Sequence, residues 1–408
     1  VMGVVLLTAL AIPFLGIEWG EADYRSLPDD DPVRETMDVL RDEFESTEAN
    51  AFPVVAIGGI DPEAVTGHAI TLSMLPGVAR VDAATGSFEA GTSLAPRGET
   101  ADRFEAGDAT WFNVVPNVEP ISAAAEQLVT TIRDMPTPFD EVLVGGGTAS
   151  LIDTKDAIFR LAPAAGVLIF AATFVLLFLM FGSILVPLKA IVLNLLSLGA
   201  TFGLMVWVFQ DGNGADLLGF TATGFTDTST PILIFGIAFG LSMDYEVFLL
   251  SRMKEEYDRT GDNDRAIVTG IDRTGPLVTA AALLLTITFL AFATSGLSFM
   301  KLFGLGLAVA VLVDAFIVRV TIVPALMTLA GRWNWWAPGP LRRFHDRWGL
   351  PEHDTGAIID LRDTALGDTA LDEAAVGEID LRGIAPDGAE TPTAEELATH
   401  DGGPEARR

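Results

Sequence analysis

Stretches of about 20 predominantly apolar residues recur six times along this 408-residue chain, at approximately 1–17, 157–181, 188–209, 231–251, 276–295 and 302–323. Hydrocarbon offers no water to solvate a free N–H or C=O, so each such segment must satisfy its backbone internally, and a helix does this. The expected fold is therefore a membrane bundle of six transmembrane helices, one isolated and five clustered. Arg252, Lys254, Arg259, Arg265 and Arg273 follow the fourth segment, and Arg332, Arg342, Arg343 and Arg347 follow the last, whereas 210–230 carries no Lys or Arg. Basic loops stay inside. This predicts a multi-pass cell-membrane protein with both ends cytoplasmic and the long first loop, 18–156, outside. The chain opens within its first span, without an initiator methionine and without a basic leader or a small-residue cleavage site, so it is expected to be part of a longer protein.

The outer loop reads as a folded domain. Apolar runs of strand length at 52–58, 77–83, 110–116 and 141–144 alternate with helical patterns at 61–75 and 122–134. Asp61 and Pro62 supply a helix start. The order is βαββαβ, the split arrangement of an α+β, ferredoxin-like domain, with an irregular α+β lobe as the alternative and an additional helix at 32–45 ahead of it. Gly145 to Gly147 lack the Lys-Ser/Thr of a nucleotide loop and are expected to hinge into the second span. The expected organisation is then a helix at 1–17, an outer domain at 18–156, a five-helix membrane domain at 157–330, a cytoplasmic juxtamembrane segment at 331–349 and a tail at 350–408. The tail is rich in Asp, Glu, Ala, Gly, Thr and Pro, which bury too little apolar area to offset ordering entropy, so it is expected to be disordered.

Charge narrows the partners. With 55 acidic against 25 basic residues the net charge is −30, which disfavours nucleic acid and anionic membrane surfaces. There is no cysteine, hence no disulfide, thiolate metal site or cysteine nucleophile. The four histidines show no ligand spacing, so neither a metal nor a cofactor is expected. No nucleophile–base arrangement suggests an enzyme.

The chemistry lies in the spans. Asp244 and Tyr245 interrupt the fourth, and a carboxylate at that depth costs several kcal/mol unless paired, protonated or wetted, roughly 3 by insertion scales. Gly236, Gly240 and Asp244 recur every four residues on one helix face, so the glycines are expected to admit a neighbouring helix and the acid to face protein rather than lipid. An acid so placed can load a proton from one side and release it to the other as its surroundings alternate, and Tyr245 serves better as hydrogen-bond donor and wire than as a titrating group. The alternative for both is interhelical packing. Gly306, Ala310 and Asp314 repeat the small, small, acid pattern on the sixth span, so the two acids are expected at one depth. Asp314 reads as a relay member or half of an ion pair, and Arg319 as snorkelling inward or neutralising an acid on another helix. Thr279, Thr286 and Thr288 are candidates to hydrate the relay, against back-bonding to their own helix. Glu246, close to the expected inner end, reads as solvated.

Gly240-Leu-Ser-Met-Asp244-Tyr245-Glu-Val-Phe-Leu249 with Ser251-Arg252 and Glu255-Glu256, then Leu312-Val-Asp314-Ala-Phe-Ile-Val-Arg319, Val323-Pro324-Ala-Leu-Met327 and Trp335-Trp336, resemble the MmpL branch of the resistance-nodulation-division (RND) transporter superfamily. Full-length members carry two halves of one plus five helices, and this chain resembles the C-terminal half. The resemblance implies export of hydrophobic or lipidic molecules driven by proton influx, with Asp244 and Tyr245 as proton relay and the outer loop as porter domain. It also implies membrane lipid, the N-terminal half or a partner subunit, and oligomers as partners. Two rivals stand beside it. Sterol-sensing, patched-like receptors of the same superfamily share the Gly240 to Asp244 spacing, and accessory subunits like SecD and SecF share the six-span plan.

Overall fold

The computed structural model describes residues 1–43, 48–59, 61–99 and 101–350. The acidic tail expected from 350 lies outside the described residues except for Leu350.

The first helix, α1 (Met2–Ala11), continues as a 3-10 turn over Ile12–Gly16. It lies along α6 (Leu185–Met205), where Gly203 sits against the Leu10 carbonyl and any side chain would collide. Small residues let two helix backbones approach where hydrophobic contrast with lipid is absent. Leu7 is fully buried, and the Phe14 and Phe202 rings meet at 5.3 Å.

Beyond it the chain enters the α+β domain, called the outer domain after its expected location, through β1 (Trp19–Gly20) and α2 (Pro32–Glu43). The elements that follow are β2 (Phe52–Ile57), α3 (Pro62–Ser73), β3 (Val78–Ala83), β4 (Gly86–Glu89), β5 (Thr92–Pro96), β6 (Glu105–Ala106), β7 (Ala109–Pro116), α4 (Ala123–Asp134) and β8 (Glu141–Val144). One sheet runs β5-β4-β3-β7-β2-β8, all neighbours antiparallel, with β6 also on β7. The four strands read from sequence are neighbours and run to one edge of the sheet in the order β3-β7-β2-β8, that is second, third, first and fourth. The strands missed, β4, β5 and β6, come from the segment between β3 and β7. β5 is exposed at every position, so the alternation that marks a half-buried strand is absent. Asp61 caps its helix as expected, accepting from Glu63 N at 3.2 Å, and Ser122 caps α4, accepting from Ala125 N at 3.2 Å.

Among the described residues five helices are long and apolar enough to cross a membrane, and the opening helix is shorter. They are α5 (Gly147–Phe181); α6 with a π turn over Val206–Gln210; α8 (Thr230–Thr260), which follows the short α7 (Ala215–Leu218) and β9 (Thr226–Asp227); α9 (Asn263–Ala293); and α10 (Ser298–Leu312). From α10 the chain stays helical through a π segment over Val313–Ile322, α11 (Val323–Ala330) and a 3-10 turn over Gly331–Trp335, before α12 (Gly339–Trp348).

Helix ends depart most from expectation. At 35 residues α5 is about 52 Å long, well beyond a ~30 Å hydrocarbon core. Its first turns pack on α4, where Arg133 donates to both Asp153 oxygens at 2.6 and 2.9 Å and Lys155 to both Glu126 oxygens at 2.8 and 3.0 Å. The segment 252–273, expected as a basic loop, is almost wholly helical. Gly261 ends α8 with φ 67° and Asp262 caps α9, so two residues make the turn. Glu256, 2% exposed, clamps it by pairing with Arg259 at 2.6 Å and Arg265 at 3.0 Å.

In the outer domain's core, His68 packs between the Phe112 and Phe139 rings at 5.2 Å each, with Nε2 lacking a partner. Burial pushes its pKa down from 6.5 to about 4. Such a histidine takes its proton first in the unfolded chain, so its stabilising share is complete above pH 6.5 and lost as pH falls toward 4. The loss amounts to at most about 3 kcal/mol. Thermal unfolding in detergent followed by tryptophan fluorescence should show His68→Leu weakening the loss of stability between about pH 7 and pH 4. An unchanged pH dependence would rule the mechanism out.

Candidate functional site within the helix bundle

Residues two apart on an α-helix lie about 200° apart, on nearly opposite sides. On α8 this divides the motif. Ser242, Glu246 and Leu249 turn into the bundle and are buried, whereas Gly236, Gly240 and Asp244 are exposed. A Cβ built on Gly236 or Gly240 meets nothing within 4 Å. The expectation that these glycines receive a neighbouring helix, and that Asp244 faces protein, therefore does not hold within this chain. The physical reason is that α6, α9 and α10 pack on the other side of α8, through Ile234, Ala238 and Leu250 among others. Gly306 and Ala310 do lie in packed surroundings. A Cβ at Gly306 would come 2.7 Å from Met205 Sδ, and Ala310 is 4% exposed.

The second acid is built differently. Over Val313–Ile322 the helix widens to π geometry, with Val323 N–H bonded to the Val318 carbonyl and Thr321 Oγ1 to the Phe316 carbonyl, both five residues back. Pro324 lacks an N–H and so cannot complete the α ladder there. This geometry brings residues five apart onto one face, and Arg319 Nε donates to Asp314 Oδ2 at 2.8 Å. Of the two readings for Arg319, neither snorkelling nor a neighbouring-helix acid describes it: its partner is Asp314 of its own helix. The pair hydrogen-bonds to α8 through Ser242. Ser242 Oγ donates to Asp314 Oδ1 at 2.9 Å, and Arg319 Nη2 donates to both the Ser242 carbonyl and, at 3.1 Å, its Oγ. Arg319 also lies 5.6 Å from the Tyr245 ring centroid, a cation–π contact, while its Nη1 is buried without a partner. Asp314, Arg319, Ser242 and Tyr245 thus meet, and Asp244 points away from them.

Glu246 differs from expectation as well. It is 7% exposed because α8 runs on to Thr260, leaving it mid-helix, and it shares a cavity of about 10 Å³ with Lys189 of α6. Lys189 Nζ in turn donates to Asn334 Oδ1 at 2.6 Å. Thr286 and Thr288 bond back to their own helix at Ala282 and Leu284, and Thr279 is half-buried on the same helix. Ser242 and Lys189 were missed. Ser242 stands four residues before Glu246 on one face, the only hint the sequence held.

A family model described as the MMPL family matches residues 25–351. The chain belongs to the MMPL family. It is 35% identical over 340 residues to membrane protein YdfJ of Bacillus subtilis, covering 83% of this chain and 45% of that protein. It is 48% identical over 233 residues to the putative membrane protein SCO6666 of Streptomyces coelicolor, covering 57% and 33%. Over 233 residues it is 42% identical to the trehalose monomycolate exporter MmpL3 of Mycobacterium tuberculosis, covering 56% and 24%. The chain thus spans less than half the length of these relatives. RND/MmpL-type transporters form its kinship, and the Asp314–Arg319–Ser242 cluster is the polar centre of this MMPL chain.

Breaking a buried ion pair by removing one partner strands the other, at a cost of ~3–5 kcal/mol. Arg319→Gln should therefore sharply lower membrane abundance and melting temperature, and Asp314→Asn combined with Arg319→Gln should recover part of the loss. Thermal melts in detergent of both single variants, Asp314→Asn and Arg319→Gln, and of the double variant read this out. Strict additivity would show that the pair carries no coupling.

Proposed function

We propose that this chain is the C-terminal half of an RND/MmpL-type exporter of hydrophobic or lipidic molecules, driven by the proton-motive force, with Asp244 and Tyr245 as its proton relay. One observation carries the reading: the Gly236, Gly240 and Asp244 face is open within the chain. A bare carboxylate at bilayer depth is expensive, so a companion helix must cover it, and two glycines leave room for one at close range. A relay at a junction between halves can be opened and closed as they move. That the relatives are at least twice as long is consistent with such a companion, whether in the same polypeptide or a partner subunit. The name of the mycobacterial relative supports a lipidic substrate.

The outer domain is read as a ferredoxin-like porter domain facing the outside, because the order β3-β7-β2-β8 within its sheet, antiparallel throughout, is that of a split βαβ pair. The opening helix is taken as the first of six spans, and the tail as cytoplasmic.

In the assembled transporter Asp244→Asn keeps size and hydrogen bonding but cannot carry a proton. Efflux into inverted vesicles under an imposed pH gradient, normalised to protein level, should be lost for Asp244→Asn and only reduced for Tyr245→Phe, whose hydroxyl water can replace. Wild-type flux from Asp244→Asn would refute the relay and favour a receptor.

The cysteine-free chain allows sidedness to be read directly. Thr92→Cys on β5 should react with a membrane-impermeant maleimide in intact cells, and Arg343→Cys on α12 only after permeabilisation. The opposite pattern would invert the topology.

A further inference from the structure

A second polar site lies at the other end of the bundle. Where the inner ends of α5 and α8 meet the chain after α11, a cavity of about 560 Å³ opens between Phe181, Tyr257 and Trp335 on one side and α12 on the other. The connecting segment is firmly held. Ser183 Oγ donates to the Asn334 carbonyl at 2.5 Å, and Asn334 Nδ2 donates to the Met327 and Gly331 carbonyls at 2.6 and 2.8 Å. The Leu350 N–H closes the far end on the Leu179 carbonyl at 2.9 Å. The cavity is therefore a built feature of the fold.

Its charges do not balance internally. Lys254 is taken up by Asp258, whereas Arg332 and Arg342 have no ion pair and no side-chain hydrogen bond among the described residues. Asp346 also lines the space, and His345 there keeps Nδ1 buried without a hydrogen-bond partner. Around the cavity, α12 exposes Leu341, Phe344 and Trp348 at helical spacing, and Trp333 and Trp336 are exposed beside it. Tryptophans at span ends and a short amphipathic helix with arginines are the marks of the headgroup layer. The overall charge of −30 conceals this locally basic corner.

We propose that this cavity binds the phosphate headgroup of an anionic phospholipid of the inner leaflet, with Arg332 and Arg342 as its ligands and the α12 apolar face and exposed indoles against its acyl chains. An arginine fork matches two phosphate oxygens, and the indoles sit where the glycerol backbone meets hydrocarbon. The site rests on the orientation proposed above, which the maleimide labelling checks independently. It does not involve Asp244 and stands whether or not the protein moves protons.

The test is lipid retention by the full chain purified in neutral detergent. Native mass spectrometry after incubation with phosphatidylglycerol or with phosphatidylcholine of equal chain length should show preferential retention of phosphatidylglycerol. Each arginine should contribute ~5-fold, so that Arg332→Gln with Arg342→Gln loses ~25-fold. The two lysine replacements together should restore part of it, since a point charge attracts phosphate without the fork. Both arginines are at the surface, and the melting temperature of each variant shows that folding is intact. Retention unchanged in the double glutamine variant overturns the proposal. So does inorganic phosphate displacing the lipid at equal concentration, which would make the site one for free phosphate. Retention that appears only when residues 351–408 are removed would give the cavity to the acidic tail instead.

Discussion

A charge removed from water must find an opposite charge or a set of hydrogen bonds, and in this bundle Asp314 and Arg319 find them in each other and in Ser242. The consequences run outward. The pair forms because the helix widens to π geometry ahead of Pro324, which brings residues five apart together. It takes Ser242 as a third partner on α8, and so fixes the rotation of that helix. With Ser242 turned inward, Asp244 is turned outward by helix geometry alone. The exposed acid and the buried one are thus two results of the same contact.

The helix ends follow the same rule with neutral groups. At one end of the bundle Gln210 donates to the Gly16 carbonyl at 2.9 Å and accepts from Glu18 N at 2.9 Å, tying the opening helix to α6 beside the parallel pairing of β1 with β9. Lys301, 8% exposed, is held by the Leu218 and Gly219 carbonyls at the end of α7, where a helix presents its negative pole. At the other end Asn334 gathers α11, α6 and the start of α9, accepting from Lys189 and donating to Asn263 Oδ1 at 3.3 Å. Apolar packing fills the space between these clasps, but it is non-directional, and the polar contacts decide register.

Much of this was legible from residues alone. Apolar length marked the five long helices, and Asp61 with Pro62 marked the start of α3, because these signals are local. Ends were read poorly. The charged run after Ser251 looks like a loop, yet i,i+3 and i,i+4 pairs such as Arg252 with Glu255 and Lys254 with Asp258 keep it helical beyond the hydrocarbon. The hairpin of β4 and β5 escaped because its outer strand buries nothing, leaving no periodicity to detect.

What the sequence determined by itself was the solvent: enough apolar residues in runs of the right length to require helices in a bilayer, and acids within them that demand an explanation. Which acid is covered is a property of packing. Asp244 and Asp314 have the same local pattern of small residues at four-residue spacing, so nothing in the chain's order distinguishes them. The tertiary structure separates them because α8 buries one side against its neighbours, and that side carries Ser242 and Glu246, while Asp314 looks into the bundle toward it. Sequence supplies the charges, and the rotation of each helix, set by contacts distant in the chain, decides which of them lie inside.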